Sequence, residues 1–240
     1  MEIRLLQNID GVRQAEGLTV IIDVFRAFSL ECYLFAAGAG LVLPVGAEET
    51  ARRLKREHPE YVLIGERGGV KLPGFEYGNS PSQTQNADLK GKTVVHTTSA
   101  GTQGIVNAKK AEEIVTGSLV NAGAVAEYIR RRNPDCVSIV CMGLSGKTEA
   151  PEDTLCGRYI RGILTGTEPD MTRELALLRA DASVERFFRE ETQAVFPAED
   201  YWMCTDVDRF PFVLKVERLD RDVFEVHPVD PDGRKEIEND

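Results

Sequence analysis

Five segments of this chain place charge, hydroxyl groups or glycine directly after apolar runs rich in β-branched residues. Asp23 and Arg26 follow LTVII, and Glu66 and Arg67 follow VLIG and precede two glycines. Thr97, Thr98, Ser99, Gly101 and Thr102 follow TVVH; Ser118 and Asn121 follow IVTG; Glu152 and Asp153 come soon after SIVCMG. Carboxylates at three such places, with Arg, Ser, Thr and backbone amides, suit a hard cation together with an oxyanion. Oxygen-only ligation favours Mg²⁺, which keeps waters and takes one or two carboxylates plus a substrate phosphate. The TTSAGT turn, ahead of a helix, offers amides and hydroxyls to a phosphate. Taken singly, each segment has a plainer reading. Asp23, Glu152 and Asp153 could cap or complement helix starts, and TTSAGT could be a turn and cap. Their convergence on strand ends is what points to a site.

The elements that must carry these residues alternate along the chain. Strands are expected at Leu18–Val24, Leu41–Val45, Tyr61–Ile64, Thr93–Thr97, Glu113–Thr116, Cys136–Cys141 and Phe212–Val216. Helices are expected at Ala27–Ala37, Ala47–Glu57, Thr102–Ala111, Ala122–Arg132, Asp153–Thr165, Glu168–Asp181 and Val184–Val195. Strands separated by such helices imply crossover connections and an α/β sheet covered on both faces. VIIDV and SIVC are apolar on both alternating faces, as central strands are. The segments 19–66 and 93–141 also read as a repeat of strand, helix, strand, helix, strand, with a Pro before the last strand of each. Such a repeat makes the turns after Val24 and Val95 equivalent and sets matching strand ends around one crevice, where open α/β sheets bind ligands. Gly65–Lys90, rich in Gly and Pro, lies between the units as a long functional loop.

Composition narrows the function. With 29 Lys+Arg against 39 Asp+Glu the net charge is −10, a poor match to nucleic acid. Half the excess sits in residues 217–240, so the body can still hold a cationic pocket. No run of about 18 apolar residues is present, which excludes a membrane-spanning helix. The N-terminal stretch lacks the apolar core of a secretion signal. Five cysteines without a CxxC pair argue against disulfides or structural zinc and for a reduced, cytoplasmic protein. His58, His96 and His227 show no ligand spacing. CMGLSGKT nearly fits a nucleotide-binding phosphate loop, but Cys141 stands at its first Gly position and Pro151 interrupts the helix that should follow. No GxSxG or HExxH motif supports acyl transfer or zinc peptidase chemistry.

VIIDVFRA, GERGG with GFEYGNSP, TTSAGT, GSLVNAGAVA and CMG…PEDTLCG, in this order, resemble the signature blocks of the 2-phosphosulfolactate phosphatases, the ComB family. The resemblance runs from about Leu18 to Gly157; residues 166–240 are more divergent within what reads as one domain, 1–240. It implies a three-layer α/β/α sandwich with a largely parallel or mixed sheet. The implied activity is Mg²⁺-dependent hydrolysis of (R)-2-phospho-3-sulfolactate to 3-sulfolactate and phosphate, a step of coenzyme M synthesis in methanogens. The family motifs fall on Asp23, Arg26 and Ala27; on Glu66, Arg67 and Gly69; and on Asn79, Ser80 and Pro81. They continue on Thr97, Thr98, Gly101 and Thr102; on Ser118, Asn121 and Ala122; and on Glu152 and Asp153. On this reading Asp23, Glu66 and Asp153 surround the metal, with Glu152 in reserve. Arg26 and Arg67 grip phosphate or sulfonate oxygens, and Asn79, Ser80, Thr97, Thr98, Gly101, Thr102, Ser118 and Asn121 bind the substrate. Direct attack by water and a covalent intermediate on Asp23 are both open. Phe28 and Leu30 flank a lone Ser29 where the family carries a run of hydroxyls, so fewer polar groups are expected in the pocket. Another phosphoester as substrate, or a non-catalytic anion-binding protein, stays open, as does a homodimer.

Overall fold

The computed structural model describes residues 1–234, so the end of the acidic tail, 235–240, lies outside the described residues. The chain opens with β1 (Glu2–Gln7), α1 (Asn8–Val12), β2 (Gly17–Ile22), α2 (Ala27–Ala36), β3 (Leu41–Pro44) and α3 (Glu48–Glu57). It continues through β4 (Val62–Arg67), β5 (Val70–Lys71), α4 (Pro81–Thr84), β6 (Thr93–Thr97), α5 (Gly101–Asn107) and β7 (Ala111–Gly117). Then come α6 (Ala122–Arg132), β8 (Cys136–Cys141), α7 (Pro151–Thr165), α8 (Met171–Arg179), α9 (Ala198–Cys204), β9 (Val213–Arg218) and β10 (Phe224–Val229).

These strands form one mixed sheet in the order β1-β8-β2-β7-β9-β10-β3-β6-β4-β5. Within it are two parallel blocks, β1-β8-β2-β7 and β3-β6-β4. The first strand of each expected repeat unit lies between the second and third strands of one unit. β2 sits between β7 and β8, and β6 sits between β3 and β4, so β2 and β6 occupy each other's units. The antiparallel hairpin β9-β10 joins the blocks, pairing β9 with β7 and β10 with β3, so the two blocks run in opposite directions. At the β10–β3 seam Val226 pairs with Val42, and an isolated bridge in the same register joins Val223 to Val45.

The result is the expected three-layer α/β/α arrangement, with the alternation of side chains along each strand dividing the core. One face of the sheet, including Ile21, Val140, Val42, Ile64 and Val94, packs with Phe28, Leu30 and Leu34 of α2 and Ile105 of α5 in one continuous cluster. On the other face, Val20 and Ile22 pack under α6 and α7, while Leu43, Leu63 and Val95 pack with Ala51 of α3. All six residues of β2 are buried, as its largely apolar run requires.

Several local expectations change. Val184–Val195 is not an α-helix but two 3₁₀ turns, Ala182–Phe187 and Glu190–Thr192. Its own polar side chains take the carbonyls a helix would use: Thr192 Oγ1 donates to the Arg186 and Arg189 carbonyls, and Gln193 Nε2 to those of Phe187 and Arg189. Helix α8 starts at Met171 because Pro169 precedes it and Asp170 caps it by accepting from the Arg173 amide. The Gly65–Lys90 loop holds structure of its own. β4 and β5 form a hairpin whose two-residue turn is Gly68–Gly69, with φ of +60° and +84°, the conformation such a turn demands at both positions. Strands β1, β5 and β10 and helices α1, α4 and α9 were not expected from the sequence. Phe28, expected at the pocket, is instead buried in the core under the sheet.

Candidate active site

The carboxyl ends of β2, β4 and β6 and the amino end of α7 converge on a cavity of about 430 Å³. Asp23, Arg26, Glu66, Asn79, Glu152 and Asp153, all expected at a site, line it. Gly69 of the expected motif and Ser99 of the TTSAGT turn line it as well, together with residues that the sequence reading left without a role: Gly68, Leu144, Ser145, and Arg186 and Phe196 from the C-terminal part.

Three of the carboxylates are held by backbone amides. Asp23 Oδ1 accepts from the Ala27 amide at 3.1 Å, which fixes it at the start of α2. Asp153, in the first turn of α7, accepts from Val24 N through Oδ1 and from Gly143 N through Oδ2, both at 2.8 Å. It thereby ties the ends of β2 and β8 to the helix. Glu66 accepts from Ser99 N and Gly69 N at 2.6 Å each and from Ser99 Oγ at 3.1 Å. Gly101 packs so closely that a Cβ there would stand 2.9 Å from both Asp23 Oδ2 and Ala27 Cβ. The glycine at this position is therefore a packing requirement beside the carboxylate.

Burial and mutual repulsion dominate the electrostatics. Removal from water pushes the Asp23 carboxyl up to about 6, with the neighbouring Glu66 charge adding to the effect and the Ala27 and Gly101 amides opposing it. Burial likewise pushes Glu152 up to about 7, against the pull of Arg186. Burial first, then the charges of Asp23 and Glu152, raises Asp153 well above the usual carboxylate range. A cluster like this is short of positive charge.

The two guanidiniums at the cavity differ sharply. Arg26 is committed to the protein: Nη1 donates to Asp200 Oδ2 at 2.7 Å and to the Val195 carbonyl at 2.8 Å, Nη2 donates to the Gly69 carbonyl at 3.2 Å, and its face lies over the Phe196 ring. Asp200, fully buried, also accepts from Ser80 Oγ and Ser82 N at 2.9 Å. Arg186 is held between the rings of Phe187 and Phe196, its nearest carboxylate contact is Glu152 at 3.9 Å, and its buried Nε has no hydrogen-bond partner among the described residues. Arg186 is thus the cation with unused donors, and nothing in the sequence marked it, because its segment reads as an ordinary helix.

The remaining expected residues lie outside the cavity wall. Arg67 donates to the Glu66 carbonyl and to Thr97 Oγ1. Thr98 and Thr102 bond each other: the Thr98 amide donates to Thr102 Oγ1 at 2.9 Å and the Thr102 amide to Thr98 Oγ1 at 3.1 Å. Ser118 and Asn121 form a reciprocal capping box ahead of α6, and Ser80 caps α4 while holding Asp200. These hydroxyls shape the strand ends from behind.

For a cation, the donor chemistry fits: buried, mutually repelling carboxylate oxygens are what a hard divalent ion neutralises. As the side chains stand, no three His, Cys, Asp or Glu among the described residues close around a single ion. Any Mg²⁺ here would be held partly through water, its usual habit. The five cysteines are all free thiols, and no helix among the described residues is long and apolar enough to cross a membrane.

With this geometry in hand, the chain can be set beside known proteins. The model of the 2-phosphosulpholactate phosphatase family matches residues 5–218. A probable 2-phosphosulfolactate phosphatase of Bacillus subtilis is 31% identical over 221 residues, spanning 91% of this chain and 95% of the relative. One from Caldicellulosiruptor saccharolyticus is 39% identical over 160 residues, 65% of this chain and 66% of the relative.

Proposed function

The chain belongs to the 2-phosphosulfolactate phosphatase family, a family of phosphoric monoester hydrolases, and from that premise we propose that it hydrolyses (R)-2-phospho-3-sulfolactate to 3-sulfolactate and phosphate with Mg²⁺ as cofactor. The observation that carries this reading is the buried group of Asp23, Glu152 and Asp153 beside a guanidinium with unused donors. Phosphoryl transfer asks a protein chiefly for positioning and for charge opposite the transferring oxygens. Asp23, Asp153 and Glu66, with Glu152 nearby, would hold the ion. Mg²⁺ bound there supplies charge neutralisation to the phosphoryl oxygens. Arg186 donates to an oxyanion of the substrate, and its planar guanidinium can do so with two parallel bonds. Asn79 and the 143–145 turn line the same space. Asp23 serves either as the base that takes a proton from the attacking water or as the attacking oxygen itself. Arg26, bound to Asp200, keeps the wall of the cavity in place. The free thiols fit a reducing cytoplasm.

The test is phosphate release from 2-phosphosulfolactate, phospholactate, phosphoglycerate and p-nitrophenyl phosphate, each with Mg²⁺ and with EDTA. Mg²⁺-dependent release that prefers the sulfonate supports the reading. Preference for another ester keeps the chemistry and changes the substrate. No release by folded, Mg²⁺-supplied protein, with phosphate still bound in calorimetry, replaces it with a binding protein.

A further inference from the structure

Beneath the cavity lies a buried polar chain that none of the roles above uses. His96 of β6 is fully enclosed, with Nδ1 2.8 Å from Glu31 Oε1 and Nε2 3.3 Å from Asn79 Oδ1. Glu31, on α2, is enclosed as completely, and its Oε2 has no hydrogen-bond partner among the described residues. Asn79 stands at the other end, lining the cavity.

With the Asn79 oxygen facing the ring, the proton count follows. The Asn79 oxygen can only accept, so the His96 Nε2 that faces it must carry a hydrogen. On the far side, Nδ1 faces a carboxylate oxygen, and one proton lies between them whether it is drawn on the ring or on Glu31. In both descriptions Nε2 remains a donor and Asn79 Oδ1 remains its acceptor. An amide has two ends, so turning its oxygen inward turns its NH₂ toward the cavity. With a single proton on the pair, Nδ1–H would point to Glu31, Nε2 would become an acceptor, and Asn79 would turn its oxygen to the cavity instead. That orientation would set one more acceptor beside carboxylates already short of positive charge.

We infer that Glu31 and His96 are positioning residues that lock Asn79 with its NH₂ facing the cavity as a donor to an oxyanion. The inference adopts the anion-site reading for its ligand, whereas the proton placement rests on the Asn79 oxygen facing the ring. Two experiments separate them. In protein labelled with ¹⁵N in its histidine rings, two-bond correlation spectra should show His96 Nε2 protonated in the resting protein; an unprotonated Nε2 overturns the inference regardless of any activity. In the Mg²⁺-supplied protein, binding of inorganic phosphate, read by calorimetry or as competitive inhibition, reports the donor. Loss of a hydrogen bond to a charged group corresponds to roughly 10–100-fold weaker binding, and that loss is expected for Asn79→Ala and for His96→Leu. His96→Gln, which keeps an N–H near the Nε2 position, should recover most of it. Because His96 acts through Asn79, the double variant Asn79→Ala/His96→Leu should bind no worse than Asn79→Ala alone. Additive losses, or a folded His96→Leu protein with wild-type phosphate affinity, refute the inference.

Discussion

Replacing Asp200 by Ala isolates the contact that holds the cavity wall. Asp200 is fully buried, and its carboxylate accepts from Arg26 Nη1, Ser80 Oγ and Ser82 N. Arg26 is itself almost entirely enclosed. Removing one partner of such a pair strands the other charge away from water, at a cost of roughly 3–5 kcal/mol, well above what a surface pair contributes. With a urea slope of about 3 kcal/mol per molar for a chain of this size, the unfolding midpoint should fall by about 1–1.7 M. Asp10→Ala, which breaks the exposed Arg13–Asp10 pair, is the matched control and should leave the midpoint in place. Arg26→Met/Asp200→Leu removes both charges and should recover only part of the loss, since the stranded charge is gone but Ser82 N and the Val195 and Gly69 carbonyls lose their partners. Equilibrium unfolding followed by circular dichroism reads all three. A midpoint shift for Asp200→Ala below about 0.3 M, with the slope unchanged, would refute the buried-clamp reasoning.

Three other outcomes are expected. Arg186→Met should raise KM for the phosphoester roughly 10–100-fold without lowering the thermal midpoint, because its buried Nε has no hydrogen-bond partner among the described residues; an unchanged KM removes Arg186 from the anion site. Gly101→Ala pushes a methyl group against Asp23 Oδ2 and Ala27 Cβ and should cost about 1–3 kcal/mol of stability together with most of kcat; wild-type turnover would show that Asp23 tolerates displacement. The folded-state pKa values of Asp23 and Glu152, about 6 and about 7, lie above the usual carboxylate values, so their favourable contribution is present at low pH and is lost as pH rises through about 6–7. Chelator-treated protein should therefore lose thermal stability between about pH 5 and 8, and Mg²⁺ should restore it most at the upper end. Melting curves that are flat with pH and indifferent to Mg²⁺ would argue against a cation at these carboxylates.

Apolar runs such as LTVII and SIVC are legible as strands because burial on both faces leaves them almost wholly apolar, with Thr19 and Ser138 the buried exceptions. β1 escaped because it is an edge strand whose outer residues stay partly exposed and charged. β10 escaped because Pro228 and an acidic tail mask its alternation of Phe224 and Val226 with polar neighbours, although it lies in the middle of the sheet. Residues 182–192 kept the spacing of a helix, but Thr192 and Gln193 compete for its carbonyls, a contest that spacing alone does not show. At the site, Asp23, Glu66, Glu152 and Asp153 were recognisable by type and by their place after strands. Arg186, Asp200 and the Glu31–His96 pair were not, because each gains its meaning from a partner far away in the chain.

The sequence by itself determined the α/β class, most of the strands and the carboxylates at their ends, since hydrophobic period and residue type are local properties. Tertiary structure alone decided the exchange of β2 and β6 between blocks, the burial that raises the carboxylates, and the division of labour between two arginines. Arg26 is engaged and Arg186 is not because Asp200 packs beside one and no carboxylate reaches hydrogen-bond distance of the other, a difference of packed distances that no spacing along the chain encodes.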